Sequence, residues 1–69
     1  MEFKDILLDL RKEKGICQIT LAKELGVSKG AISFWETGQR EPTMQYLKKI
    51  AVYFGVSTDY LVGLKKDPL

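Results

Sequence analysis

In the run Gln18–Thr37, QITLAKELGVSKGAISFWET, the residues Lys29, Gly30, Ser33, Phe34 and Thr37 fall on one side of a helix whose other side carries Ile32 and Trp35. A cation, two hydroxyls, a ring and a residue without a side chain lack the acid, base and nucleophile of a catalytic site. They are groups for meeting a surface: an ammonium for an anion or a base edge, hydroxyls that donate or accept, a ring for a methyl group. The neighbouring residues show how such a face is held. Leu21, Ala22 and Leu25 line one side of a preceding helix, Gly26 can take the positive φ that ends it, and Val27 plugs the turn. Ser28 caps the next helix by accepting from an orphan N–H. Ile32 and Trp35, three apart, face back toward Leu21 and Leu25, and the small Ala22 lets the two helices cross closely, so Trp35 reads as core.

Size and composition narrow the chemistry further. The 69 residues make one domain, and a chain of that length buries only about 60% of its unfolded surface. Domains this small often lean on disulfides or metals. Here Cys17 is the only cysteine and there is no histidine, so an intrachain disulfide and a zinc site are both ruled out. No cofactor, metal or small-molecule ligand is expected. Stability must come from helix packing, helped by dimerisation. There is no base–nucleophile pair, no glycine loop to cradle phosphate and little room for a pocket, which argues against an enzyme. No apolar run approaches the roughly 20 residues of a membrane span and no signal peptide is visible. With a lone thiol, that points to a reduced cytoplasm. The net charge of +2 is mild, and its distribution says more than its sum. Glu2, Asp5 and Asp9 lie early in the first helix, with Arg11, Lys12 and Lys14 at its end, as the helix dipole favours.

The elements that must position the face are all helical, five in number. The first spans about Glu2–Lys14, with Phe3, Ile6, Leu7 and Leu10 inward and Gly15 as its stop. Gln18–Leu25 and Lys29–Thr37 follow. The loop Gly38–Pro42 leads to Thr43, which caps Met44–Phe54 with Leu47, Ile50, Ala51 and Phe54 inward. Ser57 caps a short fifth helix, Thr58–Val62, ended by Gly63. The domain is read as residues 1–64, with 65–69 a flexible C-terminal tail. Leu8, Ile19, Tyr46 and Tyr53 fall off the inner stripes and leave room for a partner surface. A helix held by its back and offered by its front is how a helix-turn-helix presents a recognition helix to the major groove.

The chain resembles the Cro/repressor class of helix-turn-helix domains, the XRE family, over Phe3 to Gly63. The resemblance is carried by LRKEKG (Leu10–Gly15), Gln18, LAKELGVS (Leu21–Ser28), ISFWETGQREP (Ile32–Pro42) and LKKIAVYFGVSTDYLVG (Leu47–Gly63). It implies an all-α, five-helix, lambda-repressor-like DNA-binding domain. It also implies a bacterial or phage-encoded transcription regulator, a repressor that binds a two-fold operator in double-stranded DNA as a homodimer. On that resemblance Lys29, Ser33 and Phe34 reach base edges, with Gly30 and Ala31 beside them in the groove. Gln18 and Ser28 meet phosphates, and Thr37, Gln39 and Arg40 clamp phosphates from the next loop. Lys29, Arg40 and a further cation such as Arg11 supply the ionic contacts. The family often pairs the arginine at position 11 with the glutamate at 36, which implies an Arg11–Glu36 ion pair tying the first helix to the third. Dimer contacts are implied at Thr58, Tyr60 and Leu61.

Three residues depart from the family pattern. Gly30 stands where a longer polar side chain is usual, so close backbone approach to DNA is expected there. Phe34 replaces an arginine, lysine or glutamine and can touch a thymine methyl, as Ala31 can. Cys17 replaces the Ser or Thr at the cap of the second helix, and a thiol is a weak cap. Phe34, Gly30 and the mild charge leave a second reading open: an interaction module, an antitoxin or anti-repressor partner, on the same fold.

Overall fold

Three hydroxyl caps set the starts of three helices. Ser28 Oγ accepts from the Ala31 amide at 3.1 Å, Thr43 Oγ1 from Tyr46 at 3.4 Å and Ser57 Oγ from Tyr60 at 3.0 Å. Such caps are each worth about 1 kcal/mol over alanine. The computed structural model describes residues 1–69 and contains α1 (Phe3–Lys14), α2 (Gln18–Leu25), α3 (Lys29–Thr37), α4 (Met44–Phe54) and α5 (Thr58–Leu61), with no strand. Two bounds shift by a residue from the sequence reading. Glu2 is the N-cap of α1, its amide donating to Asp5 Oδ2 at 3.3 Å, and Val62 is the C-cap of α5. Cys17 caps α2 without a side-chain bond to the backbone; its Sγ lies 3.3 Å from Thr20 Oγ1 instead. No helix is long and apolar enough to cross a membrane.

All five helices feed one core: Ile6, Leu7, Leu21, Ala22, Leu25, Ile32, Trp35, Ile50, Ala51 and Leu61. Leu7, Leu21, Ile32, Ile50 and Leu61 are completely enclosed. Burying each such side chain stabilises the fold by about 1.5–3 kcal/mol. α3 packs against both α1 and α2, α2 also against α4, and α5 closes on α1 and α4. The turn between α2 and α3 depends on Gly26, whose φ of 73° is costly for a residue with a side chain. Val27 plugs that turn, half-buried against the core.

Three expectations are corrected here. Tyr46 and Tyr53 are not surplus surface residues: both pack on the core. Tyr46 lies 5.8 Å from Trp35 between ring centroids, and Tyr53 meets Phe54 edge-on at 5.0 Å. With Ile50 they occupy the i, i+4, i+7 positions of one helical face, and they are half-buried, as is Leu47. Leu61 is 0% exposed and so cannot meet a second protomer. The reason is that α5 is a single turn, too short to stand alone, and it is held only by turning Leu61 inward. Of the three residues expected at a dimer contact, Thr58 is exposed and Tyr60 is half-buried against the core. Ile19 stays half exposed, and Leu8 is half-buried. The 65–69 segment folds back on α5, with the Ser57 amide donating to the Pro68 carbonyl at 2.6 Å.

Candidate nucleic-acid interface

The front of α3 begins with Lys29 and Gly30, both exposed, and continues through Ala31, Ser33 and Phe34, all half-buried. Ala31 leans on the core, so only part of it faces out. Ser28 is exposed but its oxygen is already used as the cap. Thr37, Gln39 and Arg40 are exposed at the far end. The Thr37 hydroxyl donates to the Ser33 carbonyl at 2.9 Å, which leaves its lone pairs open and its proton occupied. At Gly30 an added Cβ would meet only Ser28 Oγ, at 3.7 Å, an ordinary contact. The free protein therefore has no steric need for glycine there, though glycine inside a helix costs about 1 kcal/mol against alanine.

Behind that face, three helices meet in one polar cluster. Arg11 Nε donates to Glu36 Oε2 at 2.6 Å and its Nη2 to Glu36 Oε1 at 3.1 Å, a two-pronged pair. Arg11 Nη1 also donates to the Ile16 carbonyl at 2.8 Å. Gln18 Nε2 completes the cluster by donating to Glu36 Oε1 at 2.9 Å. The side chains of Arg11 and Glu36 are 13% and 4% exposed, so the pair is largely shielded from water. The hydrogen bond to Glu36 pushes the guanidinium of Arg11 above its ordinary value, against the opposing effect of burial. Two consequences bear on the interface. Arg11 is not a free cation for DNA, because its charge is matched inside the fold. Gln18, expected to face a phosphate, has one of its two side-chain N–H groups held by Glu36.

The front itself carries Lys29 and Arg40 without a carboxylate partner, since Arg11–Glu36 is the one salt bridge of the fold. The Arg40 guanidinium lies over the Phe34 ring, 4.8 Å from its centroid. The loop holds it there: the amides of Gln39 and Arg40 both donate to the Phe34 carbonyl, at 3.0 and 3.3 Å. Neither the Gln18–Glu36 bond nor the Arg40–Phe34 stack was read from the sequence. Both link residues at separations without helical periodicity, and no local signal marks them.

The helix-turn-helix family model matches residues 7–61. The chain belongs to the XRE-type helix-turn-helix family. Among helix-turn-helix relatives, the transcriptional activator BcrR of Enterococcus faecalis is 45% identical over 63 residues, 91% of this chain and 31% of BcrR. The cryptic phage CTXphi transcriptional repressor RstR of Vibrio cholerae is 36% identical over 63 residues, 91% of this chain and 56% of RstR. The chain thus spans about a third of one relative and just over half of the other. The P22 c2 repressor, crystallised with a synthetic operator, shares the helix-turn-helix fold with a TM-score of 0.88 at 32% identity. That match covers 94% of this chain and 98% of that one.

Proposed function

We propose that this domain binds double-stranded DNA through α3 and regulates transcription, as a homodimeric repressor on a two-fold operator. The observation that carries this is the contrast across α3: its back is closed by core and by the Arg11–Glu36–Gln18 cluster, while its front offers Lys29 and Arg40 without partners. The likeness to a repressor crystallised on an operator supports the same use of the fold. Lys29 and Ser33 supply hydrogen bonds to base edges, and Phe34 and Ala31 supply apolar contact to thymine methyls. Gly30 lets the backbone approach the groove. Ser28, Thr37 and Gln39 set the register against phosphates. Cys17 gives α2 no side-chain cap, so the first amides of α2 and the remaining N–H of Gln18 keep donors for a phosphate.

A second protomer meets exposed Thr58 rather than Leu61, next to Val62 and Leu64, which are also exposed. The relatives carry both signs of regulation in their names, and repression follows where the operator overlaps a promoter. The place of action is the bacterial cytoplasm. Titration with random duplex DNA at low salt should give at least micromolar binding, the electrostatic minimum for a DNA reader. Selection from a random pool should then return inverted half-sites about one helical turn apart. No binding to any duplex would overturn the proposal in favour of a protein-interaction module.

A further inference from the structure

We propose that Arg40 reads a base and that Phe34 positions it, so that the two act as one element recognising a thymine beside a guanine. The inference rests on α3 lying in the major groove. Arg40 belongs to the loop after α3, where a charged side chain would ordinarily serve as a nonspecific phosphate grip. Its side chain, though exposed, lies along the Phe34 ring. The Arg40 amide donates to the Phe34 carbonyl at 3.3 Å and the guanidinium covers the Phe34 ring at 4.8 Å, so main chain and side chain are tethered to the same residue. Gly38, at a φ of 79°, turns the chain back over the end of α3 and makes this possible.

The ring contact is to the π face and takes up no N–H group. Arg40 makes no ion pair, and its five donors remain available. A phosphate is satisfied by a charge at many angles, whereas the two acceptors of guanine, N7 and O6, are matched best by a planar fork aimed at both. A splinted, partnerless fork at the end of a groove-facing helix matches the second requirement. The part of the ring not covered by Arg40 remains for a thymine methyl, so methyl contact and guanine contact fall on neighbouring base pairs.

The test is selection of bound sequences from a random duplex pool by four proteins: the parent chain, Arg40→Lys, Phe34→Leu and Phe34→Tyr. Arg40→Lys keeps the charge and loses the fork. Phe34→Leu keeps an apolar side chain and loses the ring, and Phe34→Tyr keeps the ring. The parent should prefer guanine next to thymine in each half-site. Arg40→Lys and Phe34→Leu should both lose the guanine preference, a discrimination of about 5- to 150-fold for one bidentate contact. Phe34→Leu should keep the thymine preference, and Phe34→Tyr should keep both. An Arg40→Lys protein with the parent's base preferences would overturn the inference and leave Arg40 a phosphate clamp. Guanine preference surviving in Phe34→Leu would overturn the positioning role. A parent that selects strongly but shows no guanine at that position overturns this inference alone. A parent that selects no sequence overturns the groove-binding reading, and this inference with it.

Discussion

On its back, α3 buries Ile32 completely and Trp35 to 6% exposure, and Glu36 accepts from Arg11 and Gln18. On its front, Lys29 has no ion-pair partner, Gly30 has only Ser28 Oγ near the place of a Cβ, at 3.7 Å, and the Arg40 guanidinium lies over a ring. The nine-residue helix and the loop after it thus have one side on which the polar groups are matched and one on which the cations Lys29 and Arg40 are not. The difference teaches how to separate stability from binding by residue. A shielded charge with its partner removed costs the fold, because nothing replaces the lost bond. An exposed cation without a partner contributes little to folding and is free for a ligand. If the contrast holds, substitutions behind α3 should change unfolding and those in front should change DNA binding.

The largest effect is expected behind. Arg11→Met and Glu36→Gln should each destabilise by about 3–5 kcal/mol, as for a shielded pair broken from one side. The double variant should lose less than the sum, as read by denaturant unfolding. Strict additivity would show that the two side chains do not support each other. The pH dependence has a definite sign. Arg11 has a raised value in the folded state, so its contribution is present below the unfolded guanidinium value and is lost only as pH rises through the folded one. Melts should therefore show no loss from this group until strongly alkaline pH.

The next effect lies in front. Lys29→Ala should leave stability nearly unchanged and relax preference at one base pair by about 1–3 kcal/mol, measured on matched and mismatched operators. A uniform loss across all sequences would make Lys29 a phosphate contact instead. Gly30→Ala should be smaller and cut both ways. It should stabilise the domain by about 0.4–1 kcal/mol, since a Cβ meets only Ser28 Oγ at 3.7 Å. It should also weaken operator binding if the backbone at 30 approaches the groove. Stability and affinity rising together would place Gly30 outside the contact.

The smallest effect concerns Cys17, at the edge of both regions. A hydrogen bond from the Thr20 hydroxyl lowers its thiol value, and the side chain is exposed. The lowered folded value means that any stabilisation is present above the unfolded thiol value and fades as pH falls through the folded one. Alkylation of the folded protein should therefore titrate below the ordinary thiol range, and Thr20→Val should move the midpoint up. An unmoved midpoint would show that the hydroxyl does not set it.

Much of the scaffold was legible without coordinates, because its signals are local. Ser28, Thr43 and Ser57 announce helix starts by side chains that reach only three residues along, and Gly15, Gly26, Gly38 and Gly55 mark the ends of four helices. The inward stripe of α1 follows from 3.6-residue periodicity. On α4 periodicity placed Ile50, Ala51 and Phe54 inward as the structure has them, and missed the two tyrosines, because tyrosine has an apolar body and a polar tip and can lie either way. Tyr46 is drawn in by Trp35 from α3, and Tyr53 lies beneath Lys14 at the end of α1, 5.1 Å from its ammonium. The Arg11–Glu36 pair was expected from family resemblance, not from spacing, since the residues are 25 apart.

By itself the sequence determined the helices, their caps and stops, the apolar stripe that makes α3 one-sided, and the absence of histidine or a second cysteine for metal or disulfide chemistry. Those properties reside in residue type and in spacings of a few positions. Only the tertiary structure decided which charges are free. It drew Gln18 to Glu36 beside the expected Arg11, buried Leu61 where a dimer contact was expected, and laid Arg40 on Phe34. The physical reason is that a side chain's partner is set by distance in space, and packing brings together groups whose separation along the chain obeys no period.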